Sequence, residues 1–327
     1  MPVTLERARG NLVEGPTLGV FDPQGEHKPG MGLQTLTDHP FLKKLVYDPA
    51  SEAAGFNIPR VCFGTNAKEE QNNPLKIQAA TIAVNLASAF VWVRNHGVLR
   101  DLTGVSLGLY AAVGFSGAVD GDASEIVYKT VSIAQRRSEI IDKVRKDMGQ
   151  DYAMAAILGK NDDYIDDLTL NTNTHKAVDW GPFENRHGYT ISGVKENIDY
   201  ALEYAKGNRL IAKDLGVNMA GHSPYQEETV EQIREELKLY VTRDPSIRIY
   251  TNAPLADGSW VMKTKEDIIE HVPEQMKNTV QFRGLMEHIA TLGIENVVQF
   301  GPDLSYRLAR RFSENIGTNV LQVAASS

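Results

Sequence analysis

Ser106 stands in Gly104-Val105-Ser106-Leu107-Gly108, a serine with a glycine two residues to either side. That G-x-S-x-G spacing suits a nucleophile held on a sharp strand-to-helix turn. Small neighbours let the backbone bend and a substrate approach. The N–H of the following residue, Leu107, can then face a developing oxyanion. The apolar, alanine-rich stretch LYAAVGFSGAV follows at once, as the helix after such a turn should, but Arg100 and Asp101 interrupt the strand pattern before it. From these residues alone two readings stand side by side: an activated nucleophile, or a buried serine in a glycine-rich turn. A serine nucleophile needs a base, most often histidine. Of the 8 histidines, His27, His39, His96, His175, His187, His271 and His288 sit in polar or helical contexts, where a structural role is the ordinary one. His222, in NMAGHSPYQEETVEQI, falls on a loop between a strand pattern and a helix pattern, with Ser223 and Pro224 reading as N-cap and first helical residue. Its position makes it the leading candidate base. The lone Cys62 has no histidine in a matching motif and reads as structural.

The elements that would position these residues alternate between strand and helix. TLGVFD reads as a strand running into the loop PQGEHKPGMG, and NPLKIQAATIAVNLASAFVWVRNHG as a buried helix closed by glycine. VLRDLTG is a weak strand, and SEIVYKTVSIAQRRSEIIDKVRKDM a long amphipathic helix. Strand YAMAAILG, helix DDYIDDLTLNT, strands AVDWGPFEN and GYTISGV, helix KENIDYALEYAKG and strand NRLIAKDLGV then follow in the order βαββαβ, a ferredoxin-like arrangement. The expected organisation is an α/β core over 1–150 and 218–327, with a small subdomain over 151–217 inserted in it. Past the insert, SIRIYTNA is a strand, TKEDIIEHVPEQM a helix that Pro273 could break, FRGLMEHIATLG a helix, NVVQFG a strand and LSYRLARRFSENI a helix.

Composition narrows the function classes. With 327 residues, 42% hydrophobic and 23% charged, the chain is long enough for one large domain plus a smaller one and is not of disordered type. A net charge of −8 argues against nucleic-acid binding, which needs a basic face. One cysteine allows no internal disulfide, which fits a reducing cytoplasm. The N-terminal residues show no apolar signal core, and no long uninterrupted apolar run suggests a membrane span. No ligand cluster with metal spacing is visible.

In order along nearly the whole chain, the motifs resemble those of the malonyl-CoA:acyl-carrier-protein transacylases, stand-alone acyltransferases of fatty-acid and polyketide synthesis. FDPQGEHKPGM is similar to the family's F-P-G-Q-G-S-Q-x-x-G-M loop and keeps Phe21, Gln24, Gly25, Gly30 and Met31. KIQAA keeps the glutamine of T-Q-P-A at Gln78, and GVSLGLYAAVGFSGAVD resembles G-H-S-L-G-E-Y with its alanine-rich helix and G-x-x-D. QRRSEII aligns Arg137 with the family's helix arginine, with Arg136 one register away. NRHGYTISG, GHSPYQ, EQMKNTVQF and QFGPD match N-S-P-G-Q-x-V-I-A-G, the S-H loop, R-Q-L-x-x-P-V-x-W and E-x-G-P.

The resemblance implies an α/β-hydrolase-like core with a parallel sheet and nucleophile elbow, plus the inserted ferredoxin-like subdomain. It implies that Ser106 takes the acyl group as an ester and that His222 moves the proton, its imidazole held by the main-chain carbonyl of Gln275. The oxyanion hole would combine the N–H groups of Leu107 and Gln24. Arg137 would grip the free carboxylate of a malonyl-type group through paired N–H bonds. Coenzyme A thioester enters as substrate and no cofactor is implied. The partners implied are acyl-CoA and an acyl carrier protein, not nucleic acid or membrane, and the family expectation is a monomer. An acyl hydrolase of the same fold, or a discrete acyltransferase for an unusual acyl unit, is the alternative. Three departures lie beside the implied acyl pocket: Val105 for histidine, Leu109 for glutamate, and DPQGEHK in the opening loop. Carrier proteins are typically acidic, so a chain of net −8 needs a local basic patch. Lys206, Arg209 and Lys213, with Arg307, Arg310 and Arg311, are the candidates, against the alternative of solvated helix faces.

Overall fold

The protein's structure, a computed structural model, describes residues 13–183, 186–303 and 306–321. Its strands are β1 (Thr17–Phe21), β2 (Asp101–Gly104), β3 (Tyr152–Gly159), β4 (His175–Phe183), β5 (Arg186–Val194), β6 (Ile211–Asp214), β7 (Arg248–Tyr250), β8 (Val261–Met262), β9 (Asn296–Phe300) and β10 (Asn319–Leu321). Five short helices come early: α1 (Leu33–Asp38), α2 (Asp48–Ala54), α3 (Ile58–Phe63) and α4 (Ala67–Gln71), with a π-helical turn, Lys43–Tyr47, before α2. The longer helices are α5 (Pro74–His96), α6 (Leu107–Phe115), α7 (Ala123–Met148), α8 (Asp162–Thr172), α9 (Lys195–Gly207), α10 (Glu227–Tyr240), α11 (Lys265–Glu274), α12 (Phe282–Ala290) and α13 (Arg307–Ile316).

The large sheet runs β10-β9-β1-β2-β7-β8 and is parallel except for β8. Its central strands are almost wholly buried because helices cover both faces of such a sheet. Asp101 is the charged residue that weakened the β2 pattern. It is buried in the sheet, where Arg248 Nε and Nη2 donate to it at 2.8 and 3.0 Å and the Tyr250 hydroxyl donates at 2.8 Å. A paired, hydrogen-bonded carboxylate is the kind that a core accepts.

α5 starts where Asn73 caps the Leu75 N–H and Pro74 takes the first helical position. Its residues from Ile77 to Val93 are all buried. The helix is long and apolar enough to cross a membrane, a property the interrupted apolar pattern of the sequence hid, and it is the packed core helix of the large domain. α7 begins in a reciprocal capping box between Asp122 and Glu125 and lays its apolar stripe, from Ile126 to Val144, against the core.

The second sheet runs β4-β5-β3-β6, antiparallel throughout. Numbered within the βαββαβ unit, that order is 2-3-1-4, the ferredoxin-like one. The two faces of β3 follow the period of a strand. Ala153, Ala155 and Ile157 pack with α8 and α9 in a separate small core, while Met154 joins the main core. β4 is stitched to the large domain by Asp179 N–H to Val280 O and Val280 N–H to Ala177 O, both 2.9 Å. α11 carries Pro273 in its last turn and ends one residue later, so proline closes the helix and leaves the earlier turns intact. Leu304 and Ser305, in the segment read as the start of the last helix, lie outside the described residues, and α13 begins at Arg307.

Candidate active site

The carboxyl ends of the parallel strands converge on one place, where open α/β sheets bind ligands. β1 runs into Asp22–Gln24, β2 into Val105 and Ser106, β7 into Thr251 and Asn252, and β9 into Gly301. Ser106 has φ 53° and ψ −111°, and α6 starts at the next residue. Only a sharp turn of glycine-flanked chain permits this. A Cβ on Gly104 would sit 2.2 Å from the Gly108 carbonyl carbon, and one on Gly108 would sit 2.2 Å from the Phe21 carbonyl oxygen. Asn252 clamps the turn from the next strand: its Oδ1 accepts from the Ser106 N–H at 2.8 Å and its Nδ2 donates to Gly104 O at 2.6 Å.

The Ser106 hydroxyl lies 2.8 Å from His222 Nε2, and His222 Nδ1 lies 2.6 Å from Gln275 O. A carbonyl oxygen only accepts, so Nδ1 carries the hydrogen and Nε2 is left to accept from Ser106. His222 is buried and itself sits at φ 60°. Burial pushes its pKa down to about 4; the bond to Gln275 opposes this, and the positive Arg137 adds to it. The ring is therefore neutral near pH 7. Ser223 does not cap the following turn through its side chain, as its sequence position suggested. Its hydroxyl donates to Ala220 O at 2.7 Å, and Pro224–Gln226 form a short 3-10 turn before α10.

The two arginines on α7 separate. Arg136 is exposed and pairs with Glu139 and Glu236. Arg137 is buried, with no carboxylate partner among the described residues. It donates to Gln78 Oε1 on α5 and, at 3.0 Å, to the Met276 sulfur, and its guanidinium carbon lies 5.3 Å from the centre of the Tyr110 ring. Burial holds its pKa below the usual arginine value. The N–H groups of Leu107 and Gln24 donate to no protein acceptor among the described residues: Leu107 begins a helix, and Gln24 follows β1. Gln24 and Gln78 also line a cleft of about 390 Å³ that continues along Ser138, Ile141 and Arg145 of α7 to the 215–219 segment leading to His222.

Sequence reasoning missed Asn252 and gave Tyr110 no role. The available signal for Asn252 was a polar residue directly beyond the carboxyl end of a parallel strand, but nothing local ties it to a serine 146 positions away. Of the basic candidates, Arg307 is taken up by Glu26 and Asp303, and Arg311 donates to the carbonyls of Trp180 and Pro182. Lys206, Arg209, Lys213 and Arg310 are exposed.

A serine on a strained elbow, a neutral histidine bonded to it and an α/β-hydrolase-like core with a ferredoxin-like insert define a serine enzyme equipped to form an acyl ester. No family model matches the chain. It is 25% identical over 287 residues to the malonyl CoA-acyl carrier protein transacylase of Escherichia coli K12, covering 86% of this chain and 88% of the relative. It is 24% identical over 286 residues to BaeC, the polyketide biosynthesis malonyl CoA-acyl carrier protein transacylase of Bacillus velezensis, covering 86% and 91%. The solved malonyl-CoA:acyl carrier protein transacylase (FabD) of Xanthomonas oryzae superposes with a TM-score of 0.82 at 22% identity, covering 96% of both chains. Over most of its length the chain is thus similar in sequence to malonyl CoA-acyl carrier protein transacylases, and it shares their fold.

Proposed function

We propose that this enzyme moves a malonyl-type acyl group from coenzyme A, through an ester on Ser106, to the phosphopantetheine thiol of an acyl carrier protein in fatty-acid or polyketide synthesis. The observation that carries the reading is the hydrogen-bonded line Ser106 Oγ, His222 Nε2, Gln275 O, set beside a buried guanidinium with no acid of its own. Family relatives whose names state this reaction support it.

In the first half-reaction Ser106 Oγ attacks the thioester carbon while its proton passes to His222 Nε2. The oxyanion is met by the Leu107 and Gln24 N–H groups. The C–S bond breaks, and His222 returns the proton to the departing thiolate. In the second half the carrier thiol gives its proton to His222, its sulfur attacks the ester carbon, and Ser106 leaves with the proton. One thioester replaces another, so atoms balance without a cofactor. Arg137 holds the distal carboxylate, exchanging the weak thioether acceptor of Met276 for a charged one. The acidic carrier meets the candidates that are exposed and without an ion pair among the described residues, Lys206, Arg209, Lys213 and Arg310, and the enzyme acts as a monomer in the cytoplasm.

Intact-protein mass spectrometry with a panel of acyl-CoAs tests this. A malonyl adduct on wild type that vanishes in Ser106→Ala and weakens in Arg137→Ala is the expected result. An adduct only with other acyl groups, indifferent to Arg137, would overturn the malonyl assignment. Release of free malonate in step with coenzyme A, without carrier, would replace transfer by hydrolysis.

A further inference from the structure

Four polar atoms around the acyl site make no well-formed hydrogen bond among the described residues, although Tyr110 lies close to both Arg137 and Gln275: Arg137 Nε, the Tyr110 hydroxyl, and both Nε2 and Oε1 of Gln275. Their residues are 2%, 1% and 5% exposed. Buried polar atoms are almost always paired, so a knot of orphans in one place marks a position that a ligand fills. The three residues come from α7, from α6 one turn past Ser106, and from the chain just after α11. They meet only in the folded protein. The Arg137 guanidinium lies over the Tyr110 ring, Tyr110 and Gln275 face each other, and the Gln275 carbonyl holds the His222 ring. The neighbouring Val105 and Leu109 are buried and apolar, so neither supplies a charge or a hydrogen bond to the group.

We propose that the Tyr110 hydroxyl and the Gln275 side-chain amide complete, with Arg137, a cradle for the distal carboxylate of the acyl group, and thereby set the preference for diacid over monoacid thioesters. The inference rests on the acyl-transfer reading above and extends it to two more residues. A carboxylate offers two oxygens with about four acceptor sites. The orphans offer three donor groups: Arg137 Nε–H, the Tyr110 O–H and Gln275 Nε2. Where the Tyr110 hydroxyl turns toward Gln275 Oε1, Gln275 Nε2 and the Arg137 Nη2 that now meets the Met276 sulfur still point donors at the anion. An acetyl or longer alkanoyl group would bring only carbon to these atoms and leave them unpaired. A site built to hydrogen-bond a substrate group rejects the analogue that lacks it for this reason.

The test compares kcat/KM for loading of malonyl-CoA and acetyl-CoA on the same protein. Tyr110→Phe removes one oxygen and keeps the ring under Arg137. It is expected to lower the malonyl-to-acetyl ratio roughly tenfold or more, as loss of a hydrogen bond to a charged group does. Gln275→Glu puts a protein carboxylate where the substrate's would sit. It should lower the ratio about a hundredfold, mainly through the KM for malonyl-CoA. Equal losses on both donors in Tyr110→Phe, with an unchanged melting temperature, would mean a structural role and overturn the inference; so would an unchanged ratio in both variants. A wild-type enzyme that loads other acyl groups and never malonyl would overturn the function itself, and that result appears before any variant is made.

Discussion

At the scale of single residues, burial decides the chemistry of His222. Its pKa falls from 6.5 to about 4, so in the pH window between those values the unfolded chain binds a proton that the folded site refuses. The stability this site contributes is full above about 6.5 and is lost as pH falls toward 4, by up to about 3 kcal/mol. Urea melts at pH 7 and pH 4.5 should show that loss in wild type and a smaller one in His222→Gln. The acid limb of Ser106 acylation should likewise fall near pH 4, read from pre-steady-state rates. The two adjacent arginines diverge for the same reason of environment. Arg136→Ala, which removes exposed ion pairs, should leave malonyl loading within about twofold. Asn252→Ala strips two hydrogen bonds from the elbow and should cost about 1–3 kcal/mol of stability, with a slower acylation rate, by thermal melting and mass-resolved kinetics.

At the scale of elements, the elbow works because β1, β2 and α6 approach more closely than side chains allow. Gly108→Ala would drive a methyl into the Phe21 carbonyl, at the strand end that leads to Gln24. It should destabilise by about 1–3 kcal/mol or more and suppress acyl-enzyme formation even in the fraction that stays folded. Differential scanning calorimetry alongside adduct mass reads both. The conformation of Ser106 itself, at positive φ, stores about 1–3 kcal/mol that the surrounding bonds to Asn252 hold in place. The opening loop is anchored from the other side. Asp22 accepts from Gln299 Nε2 at 2.5 Å and from the Asp303 N–H at 2.9 Å, and its main-chain carbonyl accepts from Asn85 Nδ2 at 3.0 Å. Asp22 is one of the departures in DPQGEHK, and it ties Gln24's loop to β9, to Asp303 just beyond it and to α5.

At the scale of the whole molecule, the small domain is clamped to the large one by Arg283 of α12. Its guanidinium donates to Asp162 at 3.2 Å, to Asp179 at 2.7 Å and to the Tyr189 hydroxyl at 3.2 Å. Arg283→Ala should lower hydrogen-exchange protection across β4 and β5 while leaving the α5 core unchanged. On the carrier docking proposed above, Lys213→Glu, on the exposed edge strand β6, should raise KM for the carrier in the second half-reaction and leave loading from coenzyme A unchanged. Much of this was legible beforehand. Periodicity exposed α5, α7, the βαββαβ order and the parallel strands, because each is a local pattern of burial. The G-V-S-L-G spacing marked the elbow, because backbone crowding acts within five residues. The short helices of 33–71, β8 and β10 were not legible, being too short to show a period. Nor could the chain order alone choose Arg137 over Arg136, find Asn252, or gather Tyr110 and Gln275 into one cradle. Those depend on which side of a helix is buried and on contacts spanning more than a hundred residues, where hydrogen-bond partners are chosen by packing and not by neighbours in the chain.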